Sequence, residues 1–325
     1  MSNKRFTSLI QIFVLILGAV VAIAQPAQSH TGSQYPGGIE GNLQISFLDF
    51  IFPKRKARPR GPRNPSRAPF DESLPYVLTP RNTALMGTNS LTFQWHPVEG
   101  ATSYTVEIDG RNVDWEVEVT GTEAVFDEVA SIVVNYRYTI VITTNEGISS
   151  KLGEPVGFVL LPETESDRVN AQVEAIKAEQ LEPDEEALAI ALKYLEFEHS
   201  ALDWRSYALN QAAIDVLESR IQAGTEDSRV YLLQADTYLR VGLPLLARER
   251  YGEALNRAEV AAQPELQAES HWGLADVAKG QTEYEDALAH FQRAHELYEG
   301  LGDLEQAEEL QIQIDEVEMQ LPRPL

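Results

Sequence analysis

The side chains that most often carry out acid–base, nucleophilic or metal chemistry are few and scattered in this sequence. The histidines are His30, His96, His199, His271, His290 and His295. No two of them stand four residues apart, the spacing that would place both on one helix face around a metal ion. Cysteine is absent, which excludes disulfides, thiolate zinc sites and cysteine nucleophiles.

The motifs of common enzyme classes are also missing from the sequence. It contains no phosphate-binding loop, no dinucleotide-binding glycine pattern and no nucleophile elbow. Runs of carboxylates such as Asp184-Glu185-Glu186 are typical of solvated helix faces. We therefore expect a protein without catalytic activity, cofactor or metal, and the remaining residues indicate which elements it builds instead.

Charge is distributed unevenly along the chain. The 325 residues have a formal net charge of −24. Residues 1–70 carry nine basic and two acidic side chains, whereas residues 71–325 carry 17 basic and 48 acidic ones. Because an acidic body repels phosphates, we expect no binding to DNA or RNA.

The first 24 residues have the pattern of an export signal. Lys4 and Arg5 precede an apolar run, and Ala22-Ile23-Ala24 is a small-residue cleavage pattern followed by polar sequence. We predict cleavage after Ala24 and export to the periplasm or the cell exterior. The alternative is an uncleaved anchor, because the 19 residues 6–24 are just long enough to cross a bilayer.

A basic, proline-rich segment lies within the predicted disordered spacer, residues 25–71. Residues 53–69 read PKRKARPRGPRNPSRAP. The prolines disfavour helix and sheet, and repulsion among the basic side chains keeps the segment extended. It acts either as a solvated spacer or, through Lys54–Arg67, as a peripheral contact to an anionic membrane or envelope polymer.

Residues 72–162 alternate apolar and polar side chains, which is the period of strands with one buried face. The alternating sets are Leu91–Trp95, 104–108, 113–119, 136–142 and 158–160. Asp109-Gly110 and Asn145-Glu146-Gly147 separate sets and are predicted to form turns. Six or seven short strands without a helical stretch predict a β-sandwich.

Two parts of this region resemble a fibronectin type III or related immunoglobulin-like domain. They read LTFQWHPVEGATSYTVEI (91–108) and YRYTIVITTNEGIS (136–149). The resemblance implies that Trp95 packs in the core of the sandwich. His96, beside Pro97, is then a loop residue rather than a ligand.

From about residue 166 onward, strand patterns give way to Ala, Leu, Glu and Gln, which favour helices. Pro183 is predicted to open one helix. Thr282-x-x-Glu285 and Asp303-x-x-Gln306 have the spacing of capping boxes, which mark two further helix starts.

Small and aromatic residues recur in this half with one constant offset. The first set is Ala235, Tyr238, Ala247, Tyr251 and Ala254, and the second, 40 residues later, is Ala275, Ala278, Ala287, Phe291 and Ala294. Small residues let two antiparallel helices approach closely, and bulky ones fill the space between successive pairs. The repeat therefore predicts stacked helix pairs.

These segments resemble tetratricopeptide repeats. The resemblance implies that residues 163–325 form an all-α solenoid, in which Gly242 makes a turn between paired helices. The offset of 40 exceeds the usual repeat, and the excess near 256–267 implies a lengthened helix or loop. The last helix, 303–321, is expected to cap the stack with a polar outer face.

The same resemblance implies a groove lined by the first helix of each pair. The groove residues it assigns are Arg229, Leu232, Asp236, Leu239, Arg240, Glu269, Trp272, Asp276 and Lys279. Trp272 lies one place beyond the usual aromatic position, which favours the groove. A core position is the alternative for this side chain.

Two functions follow from this architecture. The first is an exported, non-enzymatic scaffold that binds a peptide or protein through the repeat groove. The alternative is a structural module of the cell envelope, in which the β-sandwich binds glycan or another domain and the repeats assemble copies.

Overall fold

The computed structural model describes residues 70–197 and 208–321 of the chain. The predicted export signal and the spacer up to residue 69 lie outside the described residues. Strands come first and helices follow them, so the predicted order of a β region and a helical region is confirmed. Within the described ranges, no helix combines the length and the hydropathy that a bilayer-spanning segment requires.

Within the described residues, eight strands form two sheets. They are β1 Val77–Thr79, β2 Thr83–Leu85, β3 Leu91–Trp95, β4 Tyr104–Gly110, β5 Val113–Val119, β6 Glu123–Phe126, β7 Arg137–Thr144 and β8 Gly157–Leu160. One sheet has the order β1-β3-β6, and the other has the order β2-β8-β7-β4-β5. Neighbouring strands are antiparallel except for β2 and β8, which run parallel.

The two sheets contribute side chains to one hydrophobic core. Phe93 and Trp95 come from β3, and Tyr138 and Phe158 come from β7 and β8 of the other sheet. The ring of Phe93 lies 6.2 Å from that of Phe158, centroid to centroid, which is within the range of favourable aromatic pairs. Trp95 is 1% exposed, so its predicted core position is confirmed.

The predicted turn at Asp109-Gly110 is wrong. Strand β4 continues through Gly110, and the reversal occurs at residues 111–112, where Asn112 adopts a φ of 61°. Gly110 is instead required by the ring of Tyr138, because a Cβ at position 110 would lie 2.2 Å from Cδ1 of that ring. The turn predicted at Asn145-Glu146-Gly147 is present, with Gly147 at a φ of 83°.

Eight α-helices follow within the described residues. They are α1 Glu163–Ala178, α2 Pro183–Leu195, α3 Asn210–Gln222, α4 Ser228–Val241, α5 Pro244–Val260, α6 Pro264–Gly280, α7 Tyr284–Leu301 and α8 Leu304–Glu318. Proline occupies the start of α2, α5 and α6, where its missing N–H has no helical partner to lose. Gly242 ends α4 in the left-handed conformation with a φ of 83°, as the predicted turn requires.

All of the predicted small and large residues except the half-buried Tyr238 are buried. Ala235 of α4 and Ala247 of α5 are fully buried, as is the ring of Tyr251. That ring packs against Gly273 of α6 so closely that a Cβ there would lie 2.2 Å from its Cε1 atom. Helices α5 and α6 have 17 residues each against 14 in α4, so the long offset arises from lengthened helices.

One of the two predicted capping boxes is wrong. Thr282 adopts a φ of 64°, and α7 begins only at Tyr284 with Glu283 as its N-cap and no side-chain cap. Asp303 does cap α8, since its carboxylate accepts from the amide of Gln306 at 3.4 Å.

The polar outer face predicted for α8 is also only partly polar. Leu304 is 71% exposed and Ile312 is 43% exposed. These two side chains have no further helix against which to pack among the described residues.

The β region and the helices share a core. Ala84 of β2, Val159 of β8 and Leu161 belong to the same buried cluster as residues of helices α1 to α6. The amide of Ala84 donates to the carbonyl of Ala208 at 2.9 Å, just before α3. The edge of the larger sheet is therefore fixed to the helical part by both burial and hydrogen bonding.

Candidate binding surface

Helices α2, α4, α6 and α8 are those that the repeat prediction makes the first helices of their pairs, and ion pairs join α2 to α4 and α6 to α8. Arg229 at the start of α4 pairs with Glu185 of α2, at 2.6 Å between Nη2 and Oε1. Lys279 near the end of α6 pairs with Glu316 of α8, at 2.8 Å between Nζ and Oε2, and also donates to Gln313. These contacts link α2 to α4 and α6 to α8, and we call the outward faces of these four helices the first-helix surface.

Two of the nine predicted surface residues are buried instead. Leu232 is 2% exposed within the core shared by the helices and the β region. Trp272 is 7% exposed and packs in a second cluster formed by α6, α7 and α8. The indole meets the ring of Tyr298 edge-on, with ring centroids 6.2 Å apart. Of the two positions that the sequence left open for Trp272, the structure therefore has the core position.

Three predicted surface residues are engaged in contacts within the helical part. Arg229 also binds Asp227, whose carboxylate caps α4 by accepting from the amide of Arg229 at 2.9 Å. Asp236 accepts from the hydroxyl of Tyr251, and Glu269 accepts from the hydroxyl of Tyr298 at 2.6 Å. The carboxylates of Asp236 and Glu269 therefore bind α4 to α5 and α6 to α7, respectively.

The other four predicted residues are also not fully buried. Arg240 is exposed, and Leu239, Asp276 and Lys279 are half-buried. The Arg240 side chain reaches the carbonyl of Leu195 in α2 at 3.4 Å. These four residues place a half-buried leucine and charges of both signs on the first-helix surface.

Gln234 of α4 is a buried polar residue whose side chain is fully paired. Its side chain is fully buried and donates from Nε2 to the carbonyl of Ile214 at 3.3 Å and to Glu218 at 3.1 Å. Its Oε1 accepts from Nε of Arg250 at 2.6 Å, and Arg250 also binds Glu218. The glutamine thus joins α3, α4 and α5 in a paired polar network, where a leucine would leave Arg250 with one acceptor fewer.

Sequence reasoning missed the contact that fixes the β region to α4. Arg81 lies between β1 and β2 and is 4% exposed. Its guanidinium donates from Nε to the carbonyl of Val241 at 2.8 Å, from Nη1 to the carbonyl of Val77 at 3.0 Å, and from Nη2 to the hydroxyl of Tyr76 at 3.1 Å. The Tyr76 hydroxyl in turn donates to the carbonyl of Gly242. A positive charge at the last carbonyls of a helix is favourable, because the helix dipole places negative charge there.

A second missed feature is a pair of histidines on different helices. His271 of α6 and His290 of α7 face each other with their Nδ1 atoms 3.0 Å apart and their ring centroids 5.2 Å apart. Both rings are half-buried. Burial, together with the neighbouring His290 and Arg293, lowers the pKa of His271 to about 4. Burial also lowers the pKa of His290, with Asp286 opposing and Arg248 adding to the shift.

Comparison with known proteins assigns no relative to this chain. No protein-family model matches it, and no curated protein matches it. The functional argument therefore rests on the chain's own residues.

Proposed function

We propose that this chain is an exported, non-enzymatic interaction protein whose tetratricopeptide-like repeats bind a peptide or protein segment on the first-helix surface. In this proposal the β region is an immunoglobulin- or fibronectin III-like sandwich that braces the repeats. The observation that carries the proposal is the direct linkage of α2 to α4 and of α6 to α8 through Arg229 and Lys279. Helices joined in this way present a continuous face of the kind that repeat proteins use for extended ligands.

The composition of that face supports a segment as ligand. Arg240 is exposed, and the half-buried Leu239, Asp276 and Lys279 add apolar area and charges of both signs. Peptide grooves generally combine a few apolar anchors with charges that fix orientation. The proposal does not use Trp272, because a buried indole has too little free surface to serve as an anchor.

The proposed export and tethering rest on residues before the described part of the chain. Intact-mass measurement of protein from the native host is expected to give a chain that begins at Gln25. Binding to anionic vesicles is expected to weaken as salt rises, because exposed charges are screened within about 10 Å at 0.1 M. A mature chain that retains Met1, or association that is insensitive to salt, would contradict the respective expectation.

A charge reversal on the first-helix surface tests the binding proposal. Deleting whole helices is unsuitable, since α4 and α5 share a core with the β region. Arg240→Glu alters an exposed cation of that surface, and Arg293→Glu makes the same change on the second helix α7, where the side chain is 54% exposed. Full-length wild type and both variants are used to capture ligands from an envelope extract, and the captured proteins are quantified.

The proposal expects a protein retained by wild type and by Arg293→Glu to bind Arg240→Glu at least about tenfold more weakly, the scale of an arginine at an interface. Equal retention by both variants would place the interface elsewhere. Retention of polysaccharide in place of protein would favour the alternative function, in which the β region binds glycan.

A further inference from the structure

The His271–His290 pair joins two helices at close range. The two rings come from different helices, α6 and α7, and their Nδ1 atoms converge to 3.0 Å. Both rings are half-buried.

The short separation limits where protons can sit. Two Nδ1 atoms at hydrogen-bond distance hold one proton between them, since two facing N–H groups would repel each other. At least one Nδ1 lone pair therefore points at the other ring. The proton between the rings is carried by one of the two Nδ1 atoms. When it moves to Nε2 of the same ring, the lone pairs of both Nδ1 atoms point into the same small volume, and the protein keeps the proton.

That arrangement is close to the bite of two imidazole ligands on one ion. Zinc–nitrogen bonds of about 2.0–2.1 Å at tetrahedral angles place two ligand nitrogens about 3.3 Å apart. The observed separation is shorter by only a few tenths of an ångström. The ring centroids are 5.2 Å apart, which shows that the two Nδ1 atoms meet nearly head-on, so both rings must turn for their lone pairs to reach one ion.

We propose that His271 and His290 bind one divalent transition-metal ion of the class that prefers imidazole, represented by Zn²⁺, through their two Nδ1 atoms. Among the described residues no group of three or more ligating side chains is present, so water completes the coordination shell. Hard ions such as Mg²⁺ prefer oxygen ligands and are not expected to bind there.

The charges around the pair admit a cation. Asp286 lies one helical turn before His290 and favours positive charge at that ring. The nearby cation Arg248 is paired with Glu283, and Arg293 is paired with Glu296 at 2.8 Å. Each neighbouring arginine therefore has its own carboxylate, and Asp286 adds a negative charge near His290.

The inference is independent of the proposed partner surface and differs from the sequence-based expectation of no metal. That expectation considered spacing along one helix, where His290 and His295 stand five residues apart and diverge. His271 and His290 are 19 residues apart in sequence, and they come close only because α6 and α7 pack together.

Calorimetric titration of the full chain with ZnCl₂ at neutral pH tests the inference, using protein purified without a histidine tag. Two variants remove one ligand each: His290→Gln keeps a polar group facing His271, and His271→Asn does the same from the other side. His295→Gln is the matched control, because it makes the same substitution on the same helix away from the pair. Circular dichroism verifies that each variant keeps its helices.

We expect one Zn²⁺ per wild-type chain, no heat of binding with MgCl₂, and unchanged affinity in His295→Gln. Either ligand variant is expected to weaken Zn²⁺ binding by at least about tenfold, since even supporting residues of metal sites contribute factors of that size. Absence of Zn²⁺ binding to wild type would overturn the inference. Equal affinity in wild type and a folded His290→Gln or His271→Asn chain would do so as well, by placing the ion at another site.

Discussion

Arg81→Met is the sharpest test of how the β region is fixed to the helices. Methionine keeps most of the apolar stem of the side chain and removes the guanidinium. The carbonyl of Val77 then loses its Arg81 donor, and the carbonyl of Val241 keeps only a 3.4 Å contact from Asn82. The hydroxyl of Tyr76 loses the donor at 3.1 Å while it still donates to Gly242.

The expected loss of stability follows from these contacts. A buried acceptor left without a donor costs about 1–3 kcal/mol, and two backbone carbonyls are affected here. A gain opposes this cost, because burial disfavours the charged guanidinium and lowers the pKa of Arg81. The net change in the free energy of unfolding is therefore expected to be about 2–4 kcal/mol of destabilisation.

Urea unfolding followed by two signals measures both the size and the location of the loss. Fluorescence includes the β-region tryptophans Trp95 and Trp115, and far-ultraviolet circular dichroism reports on the helices. We expect the two signals to coincide in wild type, because the regions share a core, and to separate in Arg81→Met. Arg111→Met is the control, since Arg111 is exposed in the β4–β5 turn. A loss below about 0.5 kcal/mol, or one equal to that of the control, would refute the role assigned to Arg81.

Three further predictions concern the helical half and are checked by unfolding or titration. Gly273→Ala is expected to destabilise by about 1–3 kcal/mol, because its Cβ would lie 2.2 Å from the ring of Tyr251, whereas Gly252→Ala, with open space around it, is expected to be neutral or stabilising by up to about 1 kcal/mol. Trp272→Ala is expected to lower stability by about 3–5 kcal/mol through the cavity it leaves, and an unchanged midpoint would contradict its core position. Burial raises the pKa of Tyr238 to about 12. The contribution of this tyrosine to the free energy of unfolding is therefore full below about pH 10 and is lost as pH rises towards 12. Tyr238→Phe is expected to reduce that alkaline loss of stability, and an identical alkaline profile in the variant would show that Tyr238 does not cause it.

Local sequence patterns predicted most helices and strands, but they did not predict which elements pack against one another. Alternation located the buried face of Leu91–Trp95, and small residues located the crossing of α4 and α5, since both depend on side-chain periodicity alone. The turn at Asp109-Gly110 failed for a tertiary reason. Glycine there accommodates Tyr138 from a neighbouring strand, and a sequence pattern does not distinguish a glycine needed for a turn from one needed for close packing.

The candidate sites were predictable only in part for the same reason. A repeat pattern assigns positions to helix faces, but it did not indicate that the β region would pack on the helices and share the core that includes Leu232. Arg81 carries no sequence signal, because the acceptor that joins it to α4 is the backbone carbonyl of Val241, 160 residues away. Proximity of His271 to His290 depends on the rotation of two helices about their axes, which hydrophobic periodicity fixes only coarsely.

The position of β2 has a consequence for how the chain assembles as it is synthesised. This strand is paired with β8 on one side, while its other side is met by Ala208 and by Asn210, whose side chain bonds to the carbonyl of Asn82, 128 residues earlier. A ribosome completes the strands well before it reaches those residues. Until then the sheet has an open edge, which is a template for pairing with another chain. Truncation before α3 should therefore give a fragment that aggregates through this edge, and a protein stopped there would depend on chaperones that hold such edges apart.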